Sequence, residues 1–414
     1  MNQVVNAGDT AWVLVCGILV LMMTIPGLVL FYGGMVRSKD MLSIMMQSFA
    51  ICIVVTLVWV LAGYSLAFSN GSAWIGGLSD LGLRDLASGW NGAFTLGAGG
   101  PRVMAMSIPQ SAFVFFQMTF AIITPAVITG SFADRMKFSA LLLFTISWTL
   151  LVYAPVAHWV WSPGGWLHVL GLGDYAGGTV VEINAGIAGL ACAVMLGPRA
   201  GYGVKSMNGA VPSYAIIGAC LLWVGWLGFD SGSAGGANGN AGMAVLVTQI
   251  AAAAAALSWG AVEWFRTGRA SAAGVITGAV VGMVAITPAA GYVLPMAALG
   301  LGLGAGVVSF VAVTMVKRRL GYDDSLDVFG VHGIGGIVGT LAVGVCAYSP
   351  LSQGAITAGL HQFIVQAVGV VATVVYDGVV SLVLLKLIDL IVGIRVTPET
   401  ELAGLDRDWR SEAL

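Results

Sequence analysis

An all-α polytopic membrane protein is the fold class this sequence predicts, with eleven transmembrane helices: two inverted five-helix repeats and a long tilted last helix. Three observations carry that expectation. Hydrophobic residues make up 58% of the 414 and charged residues only 9%, where soluble domains carry about 25% charged residues. Apolar runs of membrane-crossing length recur along the chain. Two segments 150 residues apart repeat the same order of polar and glycine positions. A water-soluble fold could not cover so much apolar surface, so the bilayer is the natural solvent. The 59 glycines suit it too, because small residues let membrane helices approach closely.

A spanning helix needs roughly 20 mostly apolar residues. Such runs fall near 9–32, 43–68, 104–129, 139–158, 178–197, 211–231, 241–264, 272–288, 295–316, 328–349 and 356–392. The last run has no proline between Pro350 and Pro398 and is long enough to tilt strongly and continue beyond the membrane. No Lys or Arg precedes the first run, so it is expected to be retained rather than cleaved as a signal peptide. Residues 1–392 therefore read as one membrane domain, with repeat one at about 9–197, repeat two at about 211–349 and the last helix at 356–392. The connection 69–103 is rich in Gly, Ser and Asn and is expected to hold one short helix at most. The tail 393–414 is too short to build a core.

Cationic residues orient the spans. One set of loops and the tail hold Arg37, Lys39, Arg135, Lys137, Arg199, Lys205, Arg266, Arg269, Lys317, Arg318, Arg319, Arg395, Arg407 and Arg410; the opposite loops hold Arg84 and Arg102. The N-terminus is expected outside and the C-terminus in the cytoplasm, with the chain multi-pass in the cytoplasmic (inner) membrane. A net charge of −2 gives no reason to expect a nucleic-acid partner. The five cysteines stand singly in apolar runs, without metal or disulfide spacing, so no metal or cofactor is expected.

The repeat points to a site. Glu182-Ile-Asn-Ala-Gly186-Ile-Ala-Gly189 matches His332-Gly-Ile-Gly-Gly336-Ile-Val-Gly339, and Asp174 and Asp324 each lie eight residues upstream. By span count the two segments are the fifth and tenth helices. An odd number of spans per repeat inverts one against the other, an architecture that puts transport sites between the repeats near the midplane. Ionisable groups inside a membrane are expensive and usually functional. Glu182 and His332 would meet on the axis between the halves, where they could share a proton or pair as ions. A buried pair that merely locks two helices is the competing reading. Asp230 is expected to cap irregular backbone near the end of the sixth span, Asp327 to cap the tenth helix, and Asp377 to satisfy a polar group in the bundle. An indole such as Trp161 could hold a small cation, although most tryptophans here read as interfacial.

These residues resemble one family. Asp174-Tyr-Ala-Gly-Gly-Thr-Val-Val-Glu-Ile-Asn-Ala185, Phe31-Tyr-Gly-Gly-Met-Val-Arg37, Phe116-Gln-Met-Thr-Phe-Ala121 and Asp327-Val-Phe-Gly-Val-His-Gly333 are similar to the motifs of ammonium transporters, in the Amt/Mep branch of the Amt/Mep/Rh superfamily. The likeness runs from the first span to Gly404-Leu-Asp406 in the tail. It implies a homotrimer with one narrow apolar pore per subunit. Carried over by position, Trp161 and Ser233 resemble an outer cation-recruitment site, and Phe120 and Phe229 the stacked gate beneath it. Asp174 resembles the carboxylate that orders that site, Trp226 a pore-lining aromatic, and His332 the second of a pair of pore histidines. Four departures stand out: Glu182 replaces the first pore histidine, Asp230 stands where Asn is usual, one extra residue separates Trp161 from Asp174, and Arg410-Ser-Glu412 replaces His-Gly-Glu in the tail.

The resemblance implies ammonium recruitment outside, deprotonation, passage of ammonia, and a proton relay through Glu182 and His332. It implies no enzymatic activity. A PII-type regulatory protein is expected at the cytoplasmic face. The alternatives are an electroneutral ammonia channel of Rh type and an ammonium sensor without transport; a sensor is expected to carry an appended signalling domain, and the sequence ends at Leu414.

Overall fold

The computed structural model describes residues 4–203, 209 and 211–410; Lys205, Ser411 and Glu412 lie outside the described residues. Apolar helices follow in chain order: α1 (Ala7–Met35), α2 (Met41–Phe68), α3 (Gln110–Ser131), α4 (Phe138–Leu170, turning at 162–165), α5 (Gly178–Leu196), α6 (Pro212–Gly232), α7 (Gly239–Thr267), α8 (Ala272–Ile286), α9 (Pro295–Leu320), α10 (Phe329–Cys346) and α11 (Leu360–Val392). Among the described residues ten are long and apolar enough to cross a membrane; α8, with 15 residues, is shorter. Its helix stops at Ile286 because Pro288 cannot donate to the preceding turn, and the chain continues through buried Thr287, Ala289 and Ala290. Helix α11 has 33 residues, about 50 Å at 1.5 Å per residue, longer than a hydrocarbon core of about 30 Å. Two short helices, α12 (Pro398–Ala403) and α13 (Asp406–Arg410), form the tail.

The connection between α2 and α3 departs from expectation. It holds a tight helical segment, Leu81–Gly89, and an antiparallel hairpin of β1 (Ala93–Leu96) and β2 (Met104–Pro109). The apolar stretch at 104–109 is therefore strand, and the third helix begins only at Gln110. The hairpin reverses through Gly97 (φ 77°) and Gly99 (φ 83°), left-handed positions that glycine takes without a Cβ penalty. Pro109, in extended backbone with ψ 148°, then hands the chain to α3.

The 150-residue offset holds in three dimensions. Wide π-helical turns occupy Gly178–Ile183 and Phe329–Gly333, and 13-residue helices follow at Asn184–Leu196 and Ile334–Cys346. The Thr179 amide donates to Asp174 Oδ2 at 2.7 Å, and the Phe329 amide to Asp324 Oδ2 at 2.8 Å. Gly177 (φ 120°) and Asp327 (φ 62°) both take the left-handed region. Their carbonyls accept from Val181 and Val331. The carboxylate that caps α10 is thus Asp324. Asp327, expected from the sequence to cap this helix, does not do so with its side chain, because its left-handed backbone turns that group to Lys317 Nζ, 2.6 Å away.

Cations from two loops of one set meet over a shared carboxylate. Arg199 pairs with Asp323 (2.7 Å) and Asp134 (3.4 Å), and Arg37 with Asp134 (3.3 Å) and Asp40 (3.0 Å). The tail packs against the same loops. Asp406 accepts from the amides of Leu42 and Ser43, capping α2, while the Leu405 amide donates to Asp40. Arg395 pairs with Glu401 at 2.8 Å. Burial and the neighbouring Asp134 push the Asp40 carboxyl up to about 6.

Candidate functional site

Each candidate side chain is held by something the local sequence supplies. Asp174, nearly buried, accepts from the amides of Gly177 (2.9 Å), Gly178 (2.6 Å) and Thr179 (2.7 Å) and from the Thr179 hydroxyl. A carboxylate gathering the free amides of a helix start is favoured by both hydrogen bonding and the helix dipole. Its own carbonyl accepts from Trp161 Nε1 at 3.1 Å, which fixes the indole at the mouth of a vestibule of about 430 Å³. Ser233 and Gln117 line the same vestibule. The Ser233 hydroxyl donates to the Phe229 carbonyl at 3.0 Å, so its lone pairs remain free to accept from a cation.

Beneath Trp161 the aromatics close ranks. Phe120 meets the Trp161 ring edge to face at 5.8 Å between centroids and stacks on Phe229 at 4.1 Å and 23°. Both phenyl rings are 1% exposed. Trp226 follows, its ring 5.6 Å from Phe229. Past this stack lies a chamber of about 10 Å³ lined by Phe31, Val181, Glu182, Trp226, Phe229 and His332, about the space one water-sized molecule needs.

In that chamber His332 Nδ1 lies 2.7 Å from Glu182 Oε2, with both groups buried. The pairing depends on how closely α5 and α10 approach. A Cβ on Gly186 would stand 2.3 Å from Gly333 Cα, and one on Gly336 would stand 2.8 Å from Glu182 Cβ. Only glycine fits there. The chemistry available is a cation held against an indole face, a dry aromatic constriction, and a carboxyl–imidazole pair able to hold or pass one proton.

The structure brings all eight candidates to adjoining places. Trp161, Ser233 and Asp174 lie at the vestibule, Phe120 and Phe229 at the constriction, and Trp226, Glu182 and His332 at the chamber. Asp230 behaves otherwise than expected. Rather than capping backbone, its buried carboxyl meets the hydroxyls of Thr248 and Thr287, and Thr287 Oγ1 accepts from Trp226 Nε1 at 2.8 Å. Neither threonine was singled out from sequence. The available signal was Thr287 with Pro288, a polar pair ending an apolar run. Asp377 accepts from Trp148 Nε1 (3.1 Å) and Ser381 (2.6 Å) and so does satisfy a polar group in the bundle.

Comparison with known proteins places this geometry. The model of the Ammonium Transporter Family matches residues 11–412. An ammonium transporter of Bacillus subtilis is 44% identical over 409 residues, 98% of either chain. One of Aquifex aeolicus is 44% identical over 400 residues, 96% of this chain and 91% of that one. Among solved structures, Candida albicans Mep2 superposes with a TM-score of 0.86 at 32% identity, over 95% of this chain and 87% of that one. A protein described as a sensor Amt superposes at 0.88 with 29% identity over 98% of each chain.

Proposed function

We infer the working of this chain from one premise: it belongs to the ammonium transporter family. It is a multi-pass membrane protein that transports ammonium or ammonia. Our reading of its architecture is eleven spans, the short α8 included, arranged as two inverted repeats with α11 outside them. The meeting of these cationic loops with the tail supports a cytoplasmic C-terminus and insertion in the cytoplasmic membrane. Family membership supports a homotrimer, and the tail face is the docking surface expected for a PII-type protein.

The pore follows from solvation cost. Ammonium is recruited between the Trp161 face and the Ser233 hydroxyl, ordered by Asp174. A bare cation cannot cross an apolar pore cheaply, so it gives up its proton below the Phe120–Phe229 gate, where the Glu182–His332 pair is the acceptor within reach. Ammonia then passes Trp226 into a chamber with room for about one such molecule. Glu182 and His332 hold or relay the proton, Glu182 standing where the family pattern has histidine. The single observation that carries this reading is the unbroken aromatic stack ending on a 2.7 Å carboxyl–imidazole contact.

The likeness to a sensor Amt gives a second reading, ammonium binding without flux. Ammonium pulses on proteoliposomes decide among the alternatives. A current that saturates with ammonium supports relayed transport, alkalinisation without current supports an electroneutral channel, and binding with neither supports a sensor.

A further inference from the structure

Asp230 is a charged-type residue buried near the end of α6 that lines neither the vestibule nor the chamber as Trp161 and Glu182 do. It is 0% exposed, and an unpartnered carboxyl there would be costly. Its partners are two hydroxyls from different parts of the fold. Thr248 of α7 meets one oxygen, and Thr287, just past α8, lies 3.2 Å from the other. Asp230 sits four residues after Trp226 on α6, so both side chains leave the same helical face. Thr287 joins them.

A threonine hydroxyl has one proton and two lone pairs. Thr287 Oγ1 accepts the indole proton of Trp226 at 2.8 Å, and its own proton lies between Asp230 Oδ1 and the Met283 carbonyl at 2.9 Å. The indole has a single proton to donate, so this hydroxyl is what fixes the ring's rotation. Trp226 in turn packs 5.6 Å from Phe229, the lower gate ring. A carboxyl set behind the pore wall thereby reaches the conduction path through one hydroxyl and one indole.

We propose that Asp230 is a positioning residue for conduction, holding Thr287 so that the Trp226 indole keeps its place below the gate. This rests on the pore reading given above and adds a residue to it that touches no substrate. Recruitment at Trp161 and Ser233 does not pass through this network, so the effect falls on maximal flux rather than on half-saturation.

The test uses the full-length protein in proteoliposomes, with ammonium-driven current measured across concentrations for Asp230→Val, Asp230→Asn, Trp226→Phe and the Asp230→Val/Trp226→Phe pair. Thermal melting of each detergent-solubilised protein identifies variants that fail to fold. Asp230→Val is expected to lower maximal current about tenfold, roughly 1.4 kcal/mol of barrier, with half-saturation changed less than about twofold. Asp230→Asn, whose amide oxygen still accepts from a hydroxyl, restores most of the current. Trp226→Phe, which keeps a ring but loses the N–H, falls like Asp230→Val, and the double variant falls no further. An additive loss in the double variant, or a shift confined to half-saturation, overturns the proposal. Full current in Asp230→Val overturns it as well. Wild-type current in Trp226→Phe overturns it too, because the ring then needs no N–H to keep its place, whereas an unsubstituted protein that carries no ammonium-driven current would sink the pore reading beneath it instead.

Discussion

Gly186→Ala adds one carbon where α5 crosses α10. That carbon would stand 2.3 Å from Gly333 Cα and N, backbone atoms that cannot swing aside, where ordinary contact begins at 3.4 Å. The helices must part by about 1 Å. Moving Glu182 and His332 apart by the same amount stretches their 2.7 Å contact to about 3.7 Å, beyond hydrogen-bond range. A charge-assisted hydrogen bond is worth about 1.5–3 kcal/mol net. Its loss corresponds to a roughly 10- to 100-fold fall in relay-competent pairs. Overpacking itself costs about 1–3 kcal/mol of stability, so the variant is expected to assemble with a lowered melting temperature. Ammonium-pulse currents from proteoliposomes, normalised to inserted protein, measure the effect. Wild-type current with unchanged melting would refute the reasoning, because it would mean that the close crossing neither limits the fold nor holds the pair.

Other perturbations test the vestibule and the tail. Trp161→Ala removes a cation–π partner worth about 0.5–2 kcal/mol, so uptake at micromolar ammonium should fall several-fold and recover at saturation; unchanged uptake would remove Trp161 from the site. Asp406→Ala removes the cap on α2, a loss of about 1 kcal/mol, and should speed proteolytic removal of the tail; equal cleavage rates would mean the cap does not hold it. Asp40, with its carboxyl raised to about 6 by burial and by Asp134, contributes stability below the ordinary carboxylate range that is lost as pH rises through 6. The tail should therefore resist protease better at pH 5 than at pH 7, and Asp40→Asn should flatten that difference. A steep profile that persists in Asp40→Asn would assign the effect to another group.

Much of the helix framework could be read from sequence because a bilayer imposes one strong rule, a long apolar run for each crossing. The rule weakened where irregular backbone met apolar residues. Met104 and Met106 look like the start of a span, yet Pro109 and the left-handed glycines at 97 and 99 make that stretch a hairpin. The contact between residues 182 and 332 was legible because the offset of 150 matched polar positions as well as glycines. The same offset could have separated Asp324 from Asp327, since Asp174, which gathers the first amides of α5, corresponds to Asp324. What sequence could not convey was partnership across helices outside the repeat. Asp230 finds Thr248 and Thr287, and Asp377 finds Trp148, contacts fixed by packing that leave no local pattern. The Phe120–Phe229 stack could be read as a gate only through resemblance, because two buried phenylalanines read as ordinary core.

The proton relay is tested most directly by substituting Glu182 alone. Glu182→Gln keeps the length and shape of the side chain and an oxygen that can face His332 Nδ1, but it cannot take up or release a proton. Ammonium pulses applied to proteoliposomes holding equal amounts of each protein give the comparison, with Glu182→His, which would make the histidine pair that the resemblance implies, measured alongside. A relay through Glu182 and His332 predicts that Glu182→Gln loses most of the ammonium-driven current while Glu182→His retains transport. Equal currents in wild type and Glu182→Gln would contradict it and leave the 2.7 Å contact as a polar clasp between α5 and α10.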